Sequence, residues 1–170
     1  KVLEKTGKSH ILEVWPNLEV YFHGGVNFNP YREQYKALIP KENFRYYETY
    51  NASEGFFAIQ DRNDSNELLL MLDYGIYYEF IPMNRFKGED STAIPLSEVK
   101  LDENYALIIT TNAGLWRYLI GDTIKFTSLK PYRIKITGRT KHFINVFGEE
   151  LVVENAEEAL KRACEKTRST

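Results

Sequence analysis

The chain has 170 residues with 22 Lys plus Arg against 24 Asp plus Glu, interspersed along its length, which excludes the basic stripe of a nucleic-acid binder. Hydrophobic residues make up 43%, with 10 Phe and 12 Tyr, enough apolar area for one substantial core and too much for a disordered chain. The single cysteine, Cys164, excludes an intrachain disulfide and a thiolate-rich metal site and fits a reducing, cytoplasmic compartment, while the longest apolar runs fall far short of the roughly 20 residues of a membrane helix.

The opening run, KVLEKTGKSHILEVWP, lacks an initiator Met and reads as a helix end leading into a strand. LEVYFHGG (Leu18 to Gly25) is β-rich and stops at paired glycines; Pro30 to Ile39 has helical spacing, ended by Pro40. Phe44 to Tyr50 and Phe56 to Gln60 read as strands joined by a turn at Ala52 to Gly55. LLLML and IYYEFI flank Asp73, Tyr74 and Gly75 and predict a hairpin, followed by a polar loop from Asn84 to Ser97. Tyr105 to Thr111, Leu115 to Leu119, Thr123 to Ser128 and Tyr132 to Gly138 read as close-spaced strands, with turns at Asn112 to Gly114, Gly121 to Asp122 and Pro131. FINVFGEELV predicts a hairpin turning at Gly148, and Val153, Ala156, Leu160 and Ala163 recur at helical spacing. EEALKRACEKTRST breaks off just after that helix, so both ends read as those of an excised segment. The fold class is therefore α+β, a β-rich curved sheet or barrel with a boundary at Gly138 to Lys141.

Four places have residues suited to chemistry. Gly24 and Gly25 end a strand, where a missing Cβ lets a ligand touch the backbone, though a plain turn is the commoner reason for such a pair. Tyr50, Ser53 and Glu54 bring an aromatic ring, a hydroxyl and a carboxylate to a strand-to-turn junction, where Glu54 could hold Mg²⁺ and Tyr50 could cover a flat base, or Glu54 could simply be solvated. Tyr118, Gly121 and Asp122 stand in WRYLIGD; a carboxylate can accept from both hydroxyls of a ribose, though Gly-Asp is also an ordinary hairpin turn. Arg139 and Lys141 follow a strand, where cations suit phosphate or ribose unless the linker is only solvated. His10, His23 and His142 form no spaced ligand set, so zinc chemistry and hydrolytic triads have no support.

The order of HGG, YNASEGFF, WRYLIGD and GRTKHFINVFGEEL resembles the adenylate-forming enzymes. YNASEGFF and TTNAGLWRYLIGD are closer still to the acyl acid amido synthetases of the auxin-responsive Gretchen Hagen family, over roughly residues 18 to 160. That resemblance implies a cytoplasmic ligase using ATP and Mg²⁺, which adenylates a carboxylic acid and passes the acyl group to an amine such as an amino acid. It implies that residues 1–137 end the large adenylating domain, that 138–141 form a hinge and that 142–170 begin a small α+β C-terminal domain. Gly24, Gly25, Tyr50, Ser53, Tyr118, Asp122 and Arg139 would bind nucleotide, with Tyr50 against adenine, Ser53 near the phosphates and Asp122 on the ribose. Glu54 would help coordinate the metal, and Lys141 would sit in the hinge. Ala52 and Trp116 depart mildly from the plant pattern, and the GRTKHFINVFGEEL hinge is more like bacterial relatives and the wider superfamily. The Ser/Thr/Gly-rich phosphate loop and the catalytic lysine that the family requires are not among these residues, so this segment alone is not expected to be competent. An acyl-coenzyme A synthetase would use the same visible residues, and a non-catalytic β-barrel module would leave Asp122 and Glu54 in plain turns.

Overall fold

The computed structural model describes residues 1–25, 28–63, 65–88, 91–140, 144–146 and 149–151, together with 159, 162, 163 and 166. Two short helices, α1 (Val2–Thr6) and α2 (Ile11–Val14), open the chain; the latter is capped by His10 Nδ1, which accepts from the Leu12 N–H at 3.2 Å. Strand β1 (Val20–Gly24) pairs in parallel with β2 (Arg45–Ala52), and a parallel pair needs a crossover, here supplied by a 3₁₀ turn and helix α3 (Arg32–Leu38). Among the described residues no helix is long and apolar enough to cross a membrane.

Among the described residues the other strand pairings are antiparallel, and one isolated parallel bridge joins Leu101 to Phe126. β3 (Gly55–Ile59), β4 (Leu68–Leu70), β5 (Ile76–Pro82), β6 (Ile94–Pro95), β7 (Asn104–Thr111), β8 (Tyr118–Leu129) and β9 (Tyr132–Arg139) complete one nine-stranded sheet in the order β1-β2-β3-β4-β9-β8-β7-β5-β6. Of the two expected architectures, this is the open sheet, because β1 and β6 remain edges. It is nevertheless curled: Tyr50 on β2 reaches Asp122 on β8, three strands intervening. The concave face buries Tyr50, Phe57, Leu68, Tyr78, Phe80, Tyr105, Phe126 and Ile134 in one core, and burying each such side chain contributes about 1.5–3 kcal/mol. Arg133 is also buried, and its guanidinium forks onto both carboxylate oxygens of Asp61, tying β9 to the loop after β3. The predicted C-terminal hairpin forms as β10 (Ile144–Val146) with β11 (Glu149–Leu151), and the helix beyond is described at 159, 162, 163 and 166. Lys141 lies outside the described residues.

Two expectations need correction. LLLML and IYYEFI do not form a hairpin: both edges of β4 are taken by β3 and β9, while β5 makes a seven-residue ladder with β7. Long non-local pairing outcompetes a hairpin limited by the three-residue β4, and the Asp73 to Gly75 bend instead packs on the next turn, where the Asn112 N–H donates to the Gly75 carbonyl at 3.3 Å. Nor are Leu115 to Leu119 and Thr123 to Ser128 separate strands joined by a Gly-Asp turn. One continuous strand, β8, runs from Tyr118 to Leu129 and bulges where Ile120, Gly121 and Asp122 stand opposite Leu107 alone. Gly121 takes φ of 87° there, a conformation open to glycine at little cost.

Candidate functional site

Asp122 lies within the β8 bulge. The bulge's two extra residues keep the alternation of the strand, so Asp122 shares a face with Ile120, and both line a cleft against β2 and β9. The Tyr50 hydroxyl donates to Asp122 Oδ2 at 2.8 Å, and Arg139, its register partner on β9, brings Nε to 3.3 Å from Oδ1. Tyr50 is itself 5% exposed, its ring packed on Phe57 at 4.9 Å between centroids. Burial first, and then the adjacent Asp122 charge and hydrogen bond, push its phenol far above the usual range, so it remains a donor at any physiological pH. A carboxylate has about four lone-pair positions, which leaves Asp122 able to accept from a ligand as well.

The cleft has a volume of about 720 Å³ and gathers Gly25, Tyr50, Ser53, Glu54, Asp122 and Arg139. Ser53 and Glu54 form a two-residue turn between β2 and β3, where Ala52 pairs with Gly55, and so stand at its rim. Among the described residues no group of three or more His, Cys, Asp or Glu gathers into a cage. Glu54 lines the cleft as a single carboxylate, and one carboxylate could hold magnesium only with substrate phosphates as further ligands.

Two candidates lie elsewhere. Tyr118 opens β8 on the exposed side, 41% accessible, and does not line the cleft. Gly24 is required by packing, since a Cβ there would run into the Thr49 carbonyl oxygen across the β1–β2 pair. Gly25 has φ of 80° and open space where a side chain would be, so it offers its backbone to the cleft.

The cleft also holds Phe28, Arg32, Glu48 and Lys135, which no sequence motif singled out, and His23, for which the sequence suggested no role. Glu48 was in principle legible, because it stands two residues before Tyr50 on β2 and so shares its face. Arg32 comes from α3 and Lys135 from β9, and only the curl of the sheet makes them neighbours.

Comparison with known proteins adds the ancestry. The sequence model of the GH3 family central domain matches residues 69–139, and that of the GH3 family N-terminal domain matches residues 1–44. The chain belongs to the GH3 family. This GH3 chain is 31% identical over 124 residues to the indole-3-acetic acid-amido synthetase GH3.3 of Arabidopsis thaliana, which spans 69% of the chain and 20% of that protein. It is 46% identical over 50 residues to the jasmonoyl-L-amino acid synthetase JAR4 of Nicotiana attenuata, spanning 29% of the chain and 9% of that protein. Its fold matches the solved GH3.15 acyl acid amido synthetase with a TM-score of 0.68 at 17% identity, over 89% of this chain and 27% of the other. The GH3 chain therefore spans about a fifth of the length of such relatives.

Proposed function

We propose that this GH3 chain is the nucleotide-positioning part of a longer, cytoplasmic acyl acid amido synthetase, an ATP-dependent ligase joining a carboxylic acid to an amino acid. The observation that carries the proposal is the Asp122 carboxylate, which lines the cleft and is held by Tyr50 and Arg139 with Ser53 and Glu54 at the rim. A nucleotide's ribose diol would donate to Asp122, its base would lie along Gly25 and the accessible edge of Tyr50, and Arg139 would approach the ribose. Ser53 would face the phosphates. Glu54 would help hold Mg²⁺, which supplies neutralisation of phosphate charge when bound.

The first half-reaction joins the acid's carboxylate oxygen to the α-phosphorus of ATP and releases pyrophosphate. In the second, an amine attacks the activated acyl carbon and AMP leaves. Positioning and fixed charges carry the first step, and the Tyr50–Asp122–Arg139 contacts are a preorganised set of that kind. Residues 1–137 would complete the large domain, 138–141 would be a hinge and 142–170 would open the small domain; the central-domain match ending at residue 139 supports that boundary. Lys141 would sit in that hinge. The GRTKHFINVFGEEL sequence favours a bacterial-type member.

In the full-length parent, Asp122→Ala should abolish acid-dependent exchange of pyrophosphate into ATP. Exchange at the wild-type rate would remove the nucleotide reading of the cleft, and use of coenzyme A in place of amino acids would remove the amide-forming one.

A further inference from the structure

Away from Asp122, the same cleft has a second set of charged groups that the nucleotide reading does not use. His23 on β1 and Glu48 on β2 are register partners in the parallel pair, and Arg32 of α3 also lines this part of the cleft. Both ring nitrogens of His23 are buried without a hydrogen-bond partner, while the ring stacks on Phe28 at 4.0 Å between centroids. Among the described residues the Glu48 carboxylate makes no ion pair. The Arg32 guanidinium lies over two aromatic rings, 5.5 Å from the centre of Phe28 and 5.9 Å from that of Tyr46. Contacts of that sort hold the flat faces of a guanidinium and leave its in-plane N–H groups to meet an oxyanion.

A buried acceptor without a donor costs about 1–3 kcal/mol, so a pair of unpartnered imidazole nitrogens beside a free carboxylate is an arrangement that a ligand would relieve. Burial, together with the nearby Arg32 charge, holds His23 below its ordinary pKa, leaving a neutral ring with one lone pair. Burial likewise raises Glu48, partly offset by Arg32, so both groups would gain from a cationic partner. The complement of one carboxylate, one neutral imidazole and one stacked guanidinium is a small zwitterion.

We propose that Arg32, Glu48 and His23 form the subsite for the amino acid acceptor, with Arg32 taking its α-carboxylate and Glu48 and His23 taking its α-ammonium. This rests on the amide-forming reading above. The subsite would bring the acceptor nitrogen into the cleft in which the acyl-adenylate forms, and it would select free α-amino acids over simple amines, which lack the carboxylate that Arg32 meets.

Two assays on the full-length enzyme test it: acid-dependent pyrophosphate exchange without amino acid, and amide formation at varied amino acid concentration. Glu48→Gln and Arg32→Met should each raise the KM for the amino acid on the order of 10-fold or more, the worth of one charge-assisted contact, while exchange changes far less. Arg32→Lys, which retains the charge, should recover part of the loss. Exchange falling in step with amide formation would reassign these residues to the nucleotide or the acid and overturn the proposal. So would an unchanged amino acid KM in variants that still exchange pyrophosphate. A wild-type enzyme that exchanges but forms no amide would overturn the functional reading and this subsite together.

Discussion

The Tyr50 hydroxyl donates to Asp122 Oδ2 at 2.8 Å, although the two residues are 72 positions apart and their strands are separated in the sheet by β3, β4 and β9. The contact closes the concave side of an open sheet at one point and joins two motifs that meet nowhere else in the sequence. Hydrogen bonds to a charged group are worth about 1.5–3 kcal/mol, so Tyr50→Phe should lower the urea midpoint of the parent protein and reduce kcat/KM for ATP in pyrophosphate exchange on the order of tenfold. Wild-type values of both would show that Asp122 is held by Arg139 alone.

Glycine at positions 24 and 121 is expected to matter for different reasons. Gly24→Ala would drive a Cβ into the Thr49 carbonyl and should prise β1 from β2, a loss of stability with no rescue by nucleotide. Gly121→Ala would face φ of 87° and the Arg139 guanidinium at 3.4 Å, costing about 1–3 kcal/mol and displacing Asp122. Its signature is loss of exchange out of proportion to the shift in thermal midpoint.

Asp61→Ala should be among the most damaging single changes away from the cleft. Arg133 is 4% exposed and would be left as an uncompensated buried charge, at a cost of about 3–5 kcal/mol. Replacing both residues by apolar ones of similar volume should restore much of that loss. Urea titrations of the single and double variants give the comparison.

His23 and Glu48 make stability depend on pH in opposite senses. Burial lowers the His23 pKa below the ordinary 6.5, so the unfolded chain binds the proton more readily and stability falls as pH drops through 6.5 and below. His23→Phe should flatten that loss, measured as urea midpoints at about pH 5.5 and 7.5, values chosen to bracket the ordinary histidine titration. The Glu48 pKa is raised above 4.5, so the folded state holds its proton longer and the group's favourable contribution disappears as pH rises. Glu48→Gln should therefore be more stable than wild type at neutral pH, and a drop in stability there would mean that the carboxylate has a cationic partner in the folded parent.

Much of the architecture was legible because it is local. Alternating aromatic runs such as Phe44 to Tyr50 mark strands, Pro30 and Pro40 bracket a helix, and a glycine pair ends β1. Pairing was less so: β4 and β5 are separated by one short bend, yet each finds its partners elsewhere, because ladder length is a property of the whole sheet.

The same division runs through the site. By itself the sequence determined which groups could carry chemistry, since a Tyr, a Ser-Glu turn, a Gly-Asp and an Arg in that order are set by residue type and spacing alone. It also contained Gly121 and Asp122 without distinguishing a hairpin turn from a bulge, because both ask for glycine at positive φ. Tertiary structure decided that question: β7 and β9 flank the segment on both sides and make the turn a bulge, and the curl of the sheet brings Asp122 to Tyr50. It alone placed Arg32, Glu48 and His23 together, because their approach depends on a helix crossing and a parallel register that no local pattern encodes.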